Sequence, residues 1–468
     1  MSSPARKRMS LLDATFLRME TREAPMHVAS LQVFRVPDGA PPGFVRDVVT
    51  AFRAEGPLTG PFGYKLAQGP FSRLNPSLER ADVDLEYHVR HASLPAPGGE
   101  RELGELISHL HAVVLDRSRP LWTCHVIEGL EGNRFAIYIK VHHALSDGVG
   151  ALRLFTQPLA AEPDGSWSSP WHHPNVPADA TKDGASRVEV LKAALQTAVP
   201  VARGLVSRKR GSSPDAVCRP FGAPDSVING AVTGARRVAT QQLDLARIKS
   251  VARQTDTSIN DVFLAISSTA LRRHLSDTGV LPTRPLTAGV PVSLRQPGEI
   301  SANAVGYLWA NLATDLPDTR DRLAAINSST HAAKAHLNTM QPAARKLFTT
   351  LTMTPVIAVW VAGLGAKVRP PMNLTISNVP GPRDALYLNG ARMEAFYPVS
   401  IPSQGQALNI TCVTYDGKFN IGFTGCRDSL PHLQRLAVYA GEALDELEAA
   451  VAPTVRKAPR RRVAQSVS

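Results

Sequence analysis

The chain has 468 residues, an apolar content of 43% and four cysteines. That length is too great for one ordinary core, so two domains of roughly 200 residues are expected. Cys124, Cys218, Cys412 and Cys426 form no Cys-x-x-Cys pair, which indicates neither a zinc ribbon, a redox pair nor a disulfide framework. The opening residues lack the apolar core of a secretory signal, so a cytoplasmic protein is expected.

The net charge of +12 is carried by three segments without acidic residues, 1–8, 201–213 and 452–468. Arg6, Lys7 and Arg8 lie in the first, Arg203, Arg208, Lys209 and Arg210 in the second. Arg456, Lys457, Arg460, Arg461 and Arg462 lie in the third. Basic segments on a neutral body suggest adhesion to an anionic surface or, equally, solubilising tails. No nucleic-acid motif accompanies them, so a phospholipid membrane or lipid-inclusion surface is favoured as partner and nucleic acid is not expected.

In chain order, Met9-Ser10-Leu11-Leu12-Asp13-Ala14-Thr15-Phe16 opens the first half. Arg119-Pro120-Leu121-Trp122 follows, then Phe135-Ala136-Ile137-Tyr138-Ile139-Lys140-Val141, in which apolar residues alternate as in a half-buried strand. The strand runs out into His142-His143-Ala144-Leu145-Ser146-Asp147-Gly148. Alternation predicts that His142 and His143 point in opposite directions, with one facing substrate. Histidine suits general-base work because its unperturbed pKa lies near neutrality. Asp147 either orients the imidazole or braces the loop through a cationic partner. Gly148 is expected to relieve crowding where the chain turns into Ala151-Leu152-Arg153-Leu154-Phe155. A second pair, His172-His173, precedes Pro174, lacks an Asp-Gly and is expected to be structural.

Residues 161–235, rich in Pro, Ser, Gly and basic residues, predict a crossover between halves. Within it, Val188 to Leu195, running on to Val206, predicts an amphipathic helix ended near Pro200 and suited to a bilayer interface. The second half mixes predicted helices (Leu243–Arg253, Asp261–His274, His432–Val451) with predicted strands (Thr287–Ser293, Ala407–Thr414, Phe419–Phe423). Ser258-Ile259-Asn260-Asp261-Val262 offers Asn260 and Asp261 as polar substrate contacts, or equally a helix cap. Pro291-Val292-Ser293-Leu294-Arg295 and Ser377-Asn378-Val379-Pro380-Gly381-Pro382 follow. Leu347 to Ala366 is uncharged and long enough for a span, but its threonines and Pro355 favour a core helix or an apolar lipid surface.

Taken together, the ordered set from about residue 9 to about residue 450 resembles the bacterial wax ester synthase/diacylglycerol acyltransferase family of the coenzyme A-dependent acyltransferases. The resemblance implies a mixed α/β fold of two chloramphenicol acetyltransferase-like domains, with the active site in a tunnel between them. The expected divisions are 1–160 for the first half, 161–235 for the linker, 236–450 for the second half and 451–468 for a basic disordered tail. It implies transfer of a long-chain acyl group from acyl-coenzyme A to a fatty alcohol or diacylglycerol, with no cofactor or metal. His143 is then the base, His142 assists, and Asp147 is structural, with Arg295 as its candidate partner. Pro120, Leu121 and Trp122 are expected at the acyl channel or in the core, and Asn378 at the cleft wall. A carrier-protein thioester as donor and a non-catalytic lipid-binding protein are the alternatives.

Overall fold

The computed structural model describes residues 6–69, 76–174, 218, 221–293, 305–339 and 342–452. Its strands are β1 (Lys7–Arg8), β2 (His27–Arg35), β3 (Tyr64–Leu66), β4 (Ser77–Arg80), β5 (Val89–Ser93), β6 (Trp122–Leu130) and β7 (Arg134–His142) in the first half. The second half has β8 (Arg236–Asp244), β9 (Thr287–Ser293), β10 (Val305–Asn311), β11 (Leu374–Val379), β12 (Tyr387–Leu388), β13 (Ala391–Val399), β14 (Leu408–Tyr415) and β15 (Lys418–Cys426). The helices are α1 (Leu11–Met19), α2 (Phe44–Phe52), α3 (Leu85–His88), α4 (Glu100–Ala112) and α5 (Gly148–Thr156), then α6 (Leu245–Gln254), α7 (Ile259–Asp277), α8 (Thr319–Asn338), α9 (Pro342–Val361) and α10 (Arg435–Val451).

Two six-stranded mixed sheets organise the chain, in the orders β12-β13-β2-β7-β6-β5 and β10-β9-β11-β14-β15-β8. This is the expected two-sheet α/β architecture. The expected division at residue 235 is not clean, because β12 and β13 leave the second half and pair onto β2 of the first sheet. Where β13 passes over the second sheet the backbones touch. A side chain at Gly422 would sit 1.8 Å from the carbonyl oxygen of Pro398. Glycine is required there by close approach.

Each sheet buries apolar stripes that the sequence encodes. In α2, Phe44, Val45, Val48, Val49 and Phe52 recur at helical spacing and are all buried. They join Phe34, Trp122, Phe135, Ile137, Ile139, Val141 and Trp171 in one core on one face of the first sheet. The opposite face packs Ala136 and Tyr138 against Leu103 and Ile107 of α4 and Val238 of β8. The second sheet carries its own core, in which Phe263 of α7 meets Phe419 of β15 edge to face at 5.1 Å.

Trp122 is wholly buried, donates Nε1–H to the Phe62 carbonyl at 3.0 Å and stacks on Trp171 at 4.8 Å. It packs in the core, where nearly all of its large apolar surface is removed from water. Pro120 and Leu121 are buried too, and Leu121 clusters with Leu17, Leu115 and Ala144 beneath the histidine loop. The uncharged segment forms α9, where Met353 and Val356 pack with Trp309 and Met372. No described helix is long and apolar enough to cross a membrane. The amphipathic segment 188–206, the second basic cluster and the basic tail beyond residue 452 lie outside the described residues.

Candidate active site

The alternating strand delivers both histidines to the end of β7, in the middle of the first sheet. His142 is the last strand residue and pairs in register with His27 of β2. It is fully buried. Its Nδ1 accepts the Ala144 backbone N–H at 3.0 Å, which places the ring proton on Nε2. Nε2 lies 3.2 Å from Oε2 of Glu20.

Glu20 is a site residue that sequence reasoning missed. It follows α1, 122 positions before His142, and no local spacing links the two. Its carboxylate is nearly buried yet accepts the Met26 N–H at 3.2 Å and two N–H groups of Arg117 at 3.1 and 3.0 Å. Burial alone would raise its pKa. The His142 contact, with help from Met26 and Arg117, reverses that and holds the carboxyl below its usual range.

His143 begins the loop and is only half-buried. Its backbone N–H donates to the Met26 carbonyl at 2.9 Å. Its ring stacks on Phe16 of α1, with centroids 4.0 Å apart and planes 23° from parallel. Nδ1 is buried without a partner, leaving Nε2 as the nitrogen with open access among the described residues. Desolvation pulls the ring down to about 4, against a smaller upward pull from Asp147 and a downward one from His142. The imidazole is therefore neutral near pH 7 and free to accept a proton.

Asp147 caps α5. Its Oδ1 accepts the Gly150 N–H at 2.7 Å, the arrangement that satisfies an orphan donor of a helix N-terminus. It thus braces the loop through a helix cap. The candidate partner Arg295 lies outside the described residues. Gly148 is exposed, and a side chain there would meet nothing within 4 Å. The expected crowding belongs instead to Gly150, where a Cβ would sit 2.5 Å from Ser146 Oγ and 3.1 Å from Asp147 Oδ1.

Asp261 corrects the expectation of a substrate contact. Ser258 is the N-cap of α7, and Asp261 Oδ2 accepts the Ser258 N–H at 3.0 Å and its hydroxyl at 2.6 Å. Oδ1 accepts the Thr330 hydroxyl at 2.6 Å, so this wholly buried carboxylate is committed on both oxygens. Asn260, one residue earlier, is half-buried. Asn378 lies on β11, where its Oδ1 accepts from Cys412 Sγ at 3.3 Å. The second histidine pair is a turn anchored on serines, with His172 Nδ1 2.8 Å from Ser169 Oγ and His173 Nδ1 3.3 Å from Ser168 Oγ. Among the described residues no cluster of three or more His, Cys, Asp or Glu could hold a metal ion.

The arrangement is a neutral, stacked imidazole with one open nitrogen, backed by a buried histidine–carboxylate pair. It can take a proton from a weak nucleophile. Comparisons with known proteins give the family. Residues 9–263 match the model of the wax ester synthase/diacylglycerol acyltransferase catalytic domain, and residues 301–448 match that of the WS/DGAT C-terminal domain. A Mycobacterium tuberculosis protein named as a diacylglycerol O-acyltransferase is 44% identical over 449 residues, 95% of this chain and 100% of the relative. The O-acyltransferase WSD of Acinetobacter baylyi is 38% identical, over 94% of this chain and 97% of its own. The wax ester synthase/diacylglycerol acyltransferase from Marinobacter aquaeolei superposes with a TM-score of 0.79 at 36% identity, covering 95% of this chain and 99% of that one. A condensation domain of the calcium-dependent antibiotic synthetase shares the fold, with a TM-score of 0.58 at 17% identity over 97% of this chain and 98% of that one.

Proposed function

The chain belongs to the wax ester synthase/diacylglycerol acyltransferase family, and from that premise we propose that it moves a long-chain acyl group from acyl-coenzyme A to the hydroxyl of a fatty alcohol or a diacylglycerol. The observation that carries this reading is His143, a neutral imidazole with Nε2 open and its ring pinned by Phe16.

An alcohol is a poor nucleophile until its proton leaves. Nε2 of His143 takes that proton as the alcohol oxygen attacks the thioester carbonyl. The tetrahedral oxyanion then collapses, the carbon–sulfur bond breaks, and the departing thiolate recovers the proton from His143. Ester and free coenzyme A are the products, and no acyl-enzyme forms. Asn260 is a candidate donor to the oxyanion, and Asn378 shapes the cleft wall. The basic segments would hold the protein against an anionic lipid surface, where such acceptors reside.

The test is thiol release from hexadecanoyl-coenzyme A in the presence of hexadecanol or a diacylglycerol, with the lipid products separated. Acceptor-dependent release with wax ester or triacylglycerol as product supports the reading. Absence of release with either acceptor refutes it.

A further inference from the structure

Two residues before His142, on the same face of β7, Lys140 lies at a small recess that the acyl-transfer chemistry does not use. The recess measures about 80 Å³ and lies between β5–β7 and the C-terminal end of α4. Thr123 pairs in register with Lys140, and His125 with Tyr138, so Thr123, His125 and Lys140 share one face of the sheet.

All three side chains are more than nine-tenths buried, and each has unused hydrogen-bonding capacity. Lys140 Nζ donates to the carbonyls of Leu110 at 2.8 Å and Val113 at 2.6 Å; burial pulls the amine down to about 7, and its protonated form has a third N–H left over, which a bound anion would favour. Thr123 Oγ1 is buried without a partner. Burial holds the His125 ring neutral by pulling it down to about 4, so it offers one N–H. Thr123 Oγ1 is the one orphaned buried atom of the three, and a buried hydroxyl without a partner beside a cavity calls for a hydrogen-bonding ligand. Arg90 adds positive charge beside His125, its register partner. The rim carboxylate Asp116 is already engaged by the Ser118 N–H and hydroxyl, each at 2.8 Å.

The remaining walls are apolar. Leu110, Val113, Val114, Leu115 and Pro120 line the recess, and Val113 is 61% exposed. The volume exceeds that of one water, whose share of liquid is about 30 Å³. We propose that the recess binds a carboxylate, with Lys140, Thr123 and His125 around the oxygens and the carbon chain leaving over Val113. This site does not use His143, although Lys140 feels the Glu20 carboxylate that braces the histidine pair.

The experiment is carbon-13 NMR titration of carboxyl-labelled acetate and, separately, carboxyl-labelled hexadecanoate. It is run in the His143→Ala background, with and without Thr123→Val. Lys140→Met would also strip two carbonyls of their donor and can unfold the protein, so the near-isosteric Thr123→Val carries the test. Loss of one hydrogen bond to an anion should weaken binding about ten-fold. Weakened acetate binding supports a short carboxylate as the ligand. Weakened hexadecanoate binding without acetate binding supports a fatty acid held through its chain. Binding of both probes unchanged by Thr123→Val, or no binding of either, overturns the proposal. None of these readouts involves thiol release, so they stand apart from the acyltransferase test.

Discussion

Oε2 of Glu20 lies 3.2 Å from Nε2 of His142, and both side chains are almost fully buried. The same carboxylate takes the Met26 N–H, and the Met26 carbonyl takes the His143 N–H. Segment 20–26 is thus a strap that fixes both histidines at once. Glu20→Gln keeps the shape and removes the charge. A lost hydrogen bond to a charged group is worth about 1.5–3 kcal/mol, so kcat should fall about ten- to hundred-fold. Steady-state kinetics beside thermal melting separates the roles. A lower Tm with unchanged kcat would reduce Glu20 to a structural residue.

The acid limb of activity is set by His143. Its folded pKa is depressed from the ordinary 6.5, chiefly by desolvation. The basic form is the active one, so activity should stay level as pH falls through 6.5 and decline only below it. A pH profile of kcat/KM on enzyme shown to stay folded would reveal this. A limb at the ordinary histidine value would contradict the desolvation of the ring.

Two glycines of the loop should behave oppositely. Gly148→Ala places a methyl in open space at the first residue of α5, so activity and stability should change little. Gly150→Ala drives a Cβ against Ser146 and Asp147 and disrupts the cap. A lost N-cap costs about 0.5–2 kcal/mol. Denaturant midpoints and kcat for both variants would test the contrast.

Asp261 should report on folding rather than on substrate. Asp261→Asn weakens the capping box and the bond from Thr330. Unfolding free energy should drop by about 1–3 kcal/mol, with KM for acyl-coenzyme A unchanged. A selective rise in KM at unchanged stability would restore the substrate-contact reading.

Much of this was legible in the residues. Alternation through Phe135, Ile137, Ile139 and Val141 marks β7, and the strand predicted at Thr287–Ser293 is β9. Such signals are local to the strand, although β7 is buried on both faces rather than half-buried, with Ala136, Tyr138 and Lys140 covered by α4. Glu20 was not legible, since it sits in a charged stretch that reads as surface until Arg117 and His142 close over it. The exchange of β13 onto β2 was equally hidden, because its register joins residues such as Val399 and Ala29 that no local pattern relates. Gly148 completes the motif, but the cap geometry assigns the crowding to Gly150.

In the proposed mechanism His143 takes the acceptor's proton. The direct measurement is acceptor-dependent thiol release by His143→Ala beside wild type, with melting curves confirming that both are folded. General-base removal should lower kcat by at least about a hundred-fold. A folded His143→Ala protein with wild-type activity would rule out His143 as the base.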